Sequence, residues 1–561
     1  MNVRRSIITL FIGCCLSTLL QARPCTSWPA DSIRPHFSAP FDFPATFAGN
    51  FGEIRANHFH GGLDFKTQGV SGKPVHALGN GYISRIRVTH GSGYVLDVAY
   101  DNGYSTINRH LSAFVGEVAE RVEQLQYETE SWEVEIVPEP DEYPVRTGEV
   151  IALSGNTGYS FGPHLHLDVI DSATGETVDP IPFFRSIISD HKAPRAEGLM
   201  IFPQRGRGVV DGSWKPKAFA IGNKRPITAW GWIGVGIKAY DYMDGAGNRL
   251  GVYRVNLEVD GREVFESVID RFNPDDTRYI NSWTRAGYMK SFVEPGNKLN
   301  MLHPADSCRG LILIDEERTY QLTYTLTDAT GNRSTVRFRI QGKPTDIAQP
   351  EYPEKYVFRY NKVNYLQEPG LRLLVPQGAM YDDAYLDFEI RTDTASPAFT
   401  YRLSQEVIPL HTYAELSLGL RHKPTADSTK YYVASVGKDG RLGYVGGEYS
   451  EGFVHARVRQ LGSFTIGIDT VPPTLTPVGI GGWGSSGQIT VKVRDKHSGI
   501  ASYRGEIDGR YALFGKPNAV NGNLICRLDE RHVERGKRHT LVLRVTDLCG
   551  NETVETYSFR W

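Results

Sequence analysis

The chain has 561 residues, which at roughly 150 residues per domain predicts about four domains rather than one core. Hydrophobic residues make up 40%, charged residues 22% and aromatics 11%, so the bulk is globular and a disordered chain is excluded. With 62 Lys+Arg against 64 Asp+Glu, the net charge of -2 leaves no whole-protein field that would draw nucleic acid or an anionic membrane.

Residues 1–22 place Arg4 and Arg5 ahead of an apolar stretch (7–20) and Gln21-Ala22, the order of a secretory signal peptide. The apolar run is shorter than the ~20 residues a spanning helix needs. Cleavage near Ala22 is expected, leaving no spanning helix in a mature chain that works in the periplasm, the cell envelope or outside the cell. Cys25, Cys308, Cys526 and Cys549 then remain in an oxidising compartment, and Cys526 with Cys549, on segments read as neighbouring strands, is the expected bridge.

The pattern predicts an all-β chain. Over residues 40–190, short alternating runs such as Tyr82-Ile83-Ser84-Arg85-Ile86 and Tyr94-Val95-Leu96-Asp97-Val98 are broken by glycine turns, as in antiparallel sheet. Helical spacing is found only over 113–124. It leads into an acidic stretch, 127–143, read as a solvated insertion or a flap. Residues 193–225 carry Pro and Gly and read as a connection.

A repeat follows. Gly236-Ile237-Lys238-Ala239-Tyr240-Asp241, Asp260-Gly261-Arg262 and Asp328-Ala329-Thr330-Gly331-Asn332 return in the same order as Val491-Lys492-Val493-Arg494-Asp495, Asp508-Gly509-Arg510 and Asp547-Leu548-Cys549-Gly550-Asn551. This predicts immunoglobulin-like β-sandwiches over 226–343 and 474–561, with a third accessory β domain at 350–468 and a stiff Pro472-Pro473 linker. The Asp/Asn clusters admit two readings, hairpin turns and calcium sites, and turn chemistry alone accounts for them.

Three segments of the first domain gather histidines beside a carboxylate: Asn57-His58-Phe59-His60-Gly61-Gly62-Leu63-Asp64, Asn108-Arg109-His110-Leu111-Ser112, and Gly162-Pro163-His164-Leu165-His166-Leu167-Asp168. Residues two apart on a strand share a face, so His164 and His166 present two imidazoles side by side while Leu165 and Leu167 pack behind them. Gly61-Gly62 argues against a helix, so a turn must join His60 to Asp64. Two histidines and one aspartate leave a fourth tetrahedral position open to water, the pattern of a catalytic zinc. A lone His-x-His is more often a surface strand; the three segments together are more specific. His36, His58, His76 and His90 are expected to be structural.

These stretches, with Gly72-Lys73-Pro74-Val75-His76-Ala77 and Ser154-Gly155-Asn156-Thr157-Gly158, resemble the LytM/lysostaphin-type zinc metallopeptidases over about residues 45–185. The resemblance implies a twisted antiparallel sheet with one zinc per chain at the floor of a groove. It implies His60, Asp64 and His166 as ligands, and His164 and His110 as catalytic histidines. The implied substrate is a peptidoglycan peptide, cross-link or stem, with an envelope protein partner for the β-sandwich domains. A non-catalytic, peptidase-like regulator or scaffold is the alternative. Two departures, Asn108 for Tyr and Leu167-Asp168 for Phe-Glu, are expected to touch no ligand. The stretch 122–145 exceeds the minimal hairpin and is expected to wall the groove.

Overall fold

A computed structural model describes residues 35–223, 225–349, 351–392 and 396–561. The expected leader and Cys25 lie outside the described residues. About 49% of the chain is strand and 7% helix, an all-β fold.

In the first domain the strands Phe47–Gly49, Gly62–Lys66, His164–Asp171, Tyr104–Leu111, Gly93–Tyr100, Gly81–Thr89 and Val134–Ile136 lie side by side in that order, every neighbouring pair antiparallel. A three-stranded sheet, Pro74–His76, Val150–Leu153 and Ala113–Phe114, completes it. Period-two alternation builds the core: Leu165, Leu167 and Val169 are fully buried in it beside Leu63, Phe65 and Leu96, which turns His164, His166 and Asp168 to the opposite face.

The next domain departs from expectation at its start. Residues 193–225 are not a connection, because Arg195–Val210 is a 16-residue strand that pairs along Ile227–Tyr240. A register shift between Pro203 and Gly208 absorbs the residues that break regular pairing. The second domain lends a strand to the first domain's sheet, where Thr177–Val178 pairs with both His164–Asp171 and Arg271–Phe272. Met243, Leu250 and Ala329 extend the first core across the same boundary.

The third unit has two five-stranded sheets over a core of Leu373, Leu416, Val433 and Tyr401. The last has two four-stranded sheets closing over Trp483, Val491 and Leu543.

The last domain folds back onto the first. The helix Gly116–Glu128 docks there together with the stretch after it, so residues 122–145, expected to wall the groove, meet the last domain instead. Tyr127 stacks on His532 at 3.6 Å, Glu123 pairs with Arg531 and Glu130 with Arg504, while Leu513 packs against the first domain's core. Trp132 lies so close to Gly515 that a β-carbon there would sit 2.1 Å from Nε1. His90 joins this contact, stacked on Trp132.

The expected disulfide is absent. Cys526 and Cys549 are both free and buried, the first in the sandwich core and the second in the turn after Arg538–Asp547, packed against Tyr432 and Ala434 of the third unit. The expected strand adjacency does not hold, because Asn523–Arg527 and Arg538–Asp547 lie in different sheets, and the two cysteines pack in different clusters. No helix among the described residues is long and apolar enough to cross a membrane.

Candidate metal centre

Register delivers the site. On adjacent antiparallel strands His166 stands opposite Asp64 on one side and Arg109 on the other, so two of the three expected ligands are a cross-strand pair. His60 reaches them through Gly61-Gly62. A β-carbon on Gly62 would meet the Leu167 carbonyl oxygen at 2.1 Å, so only glycine lets this segment lie on the strand that carries His166.

His60 Nε2, Asp64 Oδ1 and His166 Nδ1 are each 2.9 Å from one another, on side chains that are all largely buried. The outer nitrogens of both rings are committed. His60 Nδ1 donates to the Asn50 carbonyl at 2.7 Å, and His166 Nε2 donates to Asp168 Oδ1 at 2.6 Å. With neutral rings, three lone pairs therefore face one point, an arrangement that repels itself unless a cation sits between them. Burial opposes a charge on His166, but the Asp168 and Asp64 carboxylates outweigh it and push it up to about 9. Asp64 is held well below the usual carboxylate range despite burial, by His60 and His166. The donor set, nitrogen and carboxylate oxygen without sulfur, fits a catalytic zinc.

Around this centre the residues form shells. Arg55 bonds Asp64 Oδ2 at 3.0 Å, leaving Oδ1 to the centre. Arg109 donates through Nε and Nη2 to Asp168 Oδ2, so Asp168 is fixed between Arg109 and His166. Asp168 was expected to touch no ligand; it holds one of them, and its pKa is lowered, against burial, by His166 and Arg109. The signal was present in the spacing, since 164, 166 and 168 share one strand face. Asn108, by contrast, turns to the Leu96 carbonyl and Thr106.

His164 and His110 complete the floor, with ring centroids 4.8 Å apart. His164 Nδ1 donates to the Gly162 carbonyl and its Nε2 lies 3.6 Å from Asp64 Oδ1. His110, held at φ 61°, donates Nδ1–H to the Thr157 carbonyl at 2.8 Å. Burial, then His164 and His166, push His110 down to about 3, and burial also lowers His164. Both rings thus rest neutral with an Nε2 lone pair free. All five expected site residues line one groove of about 1160 Å³. The lining also includes Tyr159 and Phe161, 66% and 79% exposed, and Phe272, Pro274 and Thr277 from the second domain. No residue of 122–145 lines it, and His58, expected to be structural, does.

Comparison with known proteins gives the following likenesses. The chain is 31% identical over 122 residues to the DD-carboxypeptidase/endopeptidase Mpg of Neisseria meningitidis serogroup B, covering 22% of either chain. It is 31% identical over 134 residues to the glycyl-glycine endopeptidase ALE-1 of Staphylococcus capitis, covering 23% of this chain and 30% of that protein. The first domain is of the LytM/lysostaphin peptidase type. The chain spans between a fifth and a third of the length of these two curated relatives. Among solved structures, the lysostaphin catalytic domain from Staphylococcus simulans matches the peptidase domain at 25% identity, covering 24% of this chain and 89% of that one, with a TM-score of 0.18. A zinc-containing peptidase from Vibrio cholerae matches at 25% identity, covering 26% and 39%, with a TM-score of 0.20. Residues 355–469 match the Zu5-like domain family, which covers the third unit and leaves the peptidase domain outside it.

Proposed function

We propose that the chain is an exported zinc endopeptidase of the periplasm or cell envelope that hydrolyses peptide bonds of peptidoglycan, in the cross-link or the stem. The observation that carries this is the meeting of three lone pairs from His60, Asp64 and His166 beside two further histidines whose free nitrogens face the same groove. Bound there, zinc supplies Lewis acidity, polarising the scissile carbonyl and making water a competent nucleophile near neutral pH.

The chain's own residues do the rest. His60, Asp64 and His166 hold the ion, with Asn50 and Asp168 fixing the two rings. His164, neutral and with Nε2 free, accepts the proton of the attacking water and later returns it to the leaving amine. His110 hydrogen-bonds the tetrahedral oxyanion. Because its Nδ1–H is spent on Thr157, it donates at Nε2 only as an imidazolium; that proton is drawn from solvent as negative charge develops beside the ring and is returned to solvent when the product leaves. The open groove, with the exposed rings of Tyr159 and Phe161 in its lining, suits an extended peptide; the accessory β units are read as docking surfaces for an envelope protein.

The test is zinc content measured together with peptide release from purified peptidoglycan. Wild type is expected to hold zinc and release peptides, and His60→Ala to lose both. Zinc without hydrolysis on any wall preparation would favour the peptidase-like scaffold.

A further inference from the structure

Two more carboxylate clusters lie outside the groove, and they are built alike. Asp190, Asp241 and Asp328 bring one oxygen each within 4.8 Å of the others, and so do Asp469, Asp495 and Asp547. In each, one member (Asp190 or Asp469) comes from the segment entering a sandwich, one follows a strand, and one opens the terminal hairpin turn. The correspondence extends to the supporting bonds. Asn332 Nδ2 donates to the Asp190 carbonyl and to Asp328 Oδ2; Asn551 Nδ2 donates to the Asp469 carbonyl and to Asp547 Oδ2. Ser334 and Thr553 then bond the carbonyls of Pro194 and Pro473.

Turn chemistry explains part of this. Asp328 Oδ1 accepts from Gly331 and Asn332, and Asp547 Oδ1 from Cys549 and Asn551, as hairpin turns require. It does not explain Asp241. That side chain is 4% exposed, and its Oδ1 is buried with no partner; Oδ1 of Asp495, at the equivalent place in the second cluster, is also buried without a partner, on a half-buried side chain whose Oδ2 accepts from the backbone of His497, Ser498 and Gly499. A buried acceptor without a donor costs about 1–3 kcal/mol, more when charged, and here it faces two other carboxylates. Burial, then the Asp328 charge, push Asp241 up to about 8, the response of a carboxylate lacking a counter-charge. Lys192 and Lys430, which lie beside the clusters, donate instead to the carbonyls of Met243 and Cys549.

We propose that each cluster is a calcium site that clamps an entering linker onto its sandwich. The donors are all oxygen, which selects a hard cation, and three carboxylates with backbone carbonyls and water at hand suit the 6–8 loosely arranged ligands of calcium better than the strict octahedron of magnesium. The clamp bears on the groove. Asp190 ties the peptidase domain to the unit that supplies Phe272 and Pro274, and Asp469 orients the sandwich whose Asn518 holds the carbonyls of Asn156 and Ser160.

The test uses the full chain, freed of divalent ions with a chelator, reloaded with one equivalent of zinc, and dialysed against calcium or magnesium at roughly millimolar concentration, where extracellular calcium modules load. Metal analysis is expected to find two calcium ions per chain, one per cluster, with magnesium excluded. Asp241→Asn and Asp495→Asn are each expected to remove one ion, and the double variant to lose the calcium-induced rise in Tm while its calcium-free Tm is no lower than that of wild type. No calcium bound by the wild type, calcium still bound by the double variant, or equal uptake of magnesium would overturn the proposal.

Discussion

At the centre of the groove each imidazole has one nitrogen committed and one free, and this division assigns the chemistry. Asp168 sets the division for His166, so Asp168→Asn is expected to weaken zinc about 10–100-fold, read by competition with a chromophoric chelator; unchanged affinity would show that the 2.6 Å contact does not orient the ligand. His110 makes no bond to the three-atom centre. His110→Ala is therefore expected to keep stoichiometric zinc and lose about 100-fold or more in turnover, and loss of zinc would break that division of roles. Much of this was legible in the chain: His164, His166 and Asp168 alternate along a strand, and His60 precedes a glycine pair. What spacing could not supply was which nitrogen each ring leaves free, because Asn50, Thr157 and Gly162 act through backbone carbonyls that any residue carries.

Among the elements, the insertion 113–145 shows where pattern reading ends. Its helix was expected, displaced by a few residues, but its partner was not. Glu123 and Glu130 look like solvated charge in the sequence, and nothing there marks Arg531 and Arg504, some 400 residues away in one case, as their counterparts. The same holds for Arg195–Val210, where Pro203 and Gly206 suggest a loop and long-range pairing with Ile227–Tyr240 makes a strand. The docked insertion rests on Trp132 against Gly515. Trp132→Ala is expected to destabilise the chain by about 3–5 kcal/mol, and Gly515→Ala by about 1–3 kcal/mol through overpacking, both read by thermal or denaturant unfolding. A neutral Gly515→Ala would mean that the two domains are not in this contact in solution.

Across the whole molecule the chain returns on itself, so the groove of the first domain is bounded by the second and braced by the last. Asn518 alone donates to two carbonyls of the segment that carries Tyr159 and Phe161. Removing the last domain, residues 470–561, is expected to free that segment, raise KM for wall peptides more than it lowers kcat, and increase proteolysis near Phe161; equal kinetics and proteolysis would make the brace irrelevant to the groove. The repeat was legible because its turn residues recur in order, and both copies make the same Asn-to-Asp bond in the turn, whereas the closure of the chain depends on surfaces that carry no periodic signature.

The central claim is that His60, Asp64 and His166 hold one zinc with a position open to solvent. Anomalous diffraction at the zinc edge, from crystals of the zinc-loaded chain, tests it most directly. The expected result is one strong peak bonded to His60 Nε2, one Asp64 oxygen and His166 Nδ1, with a water as the remaining ligand and His164 and His110 unbound beside it. A peak elsewhere, or one whose fourth ligand is a further side chain of the protein, would contradict it.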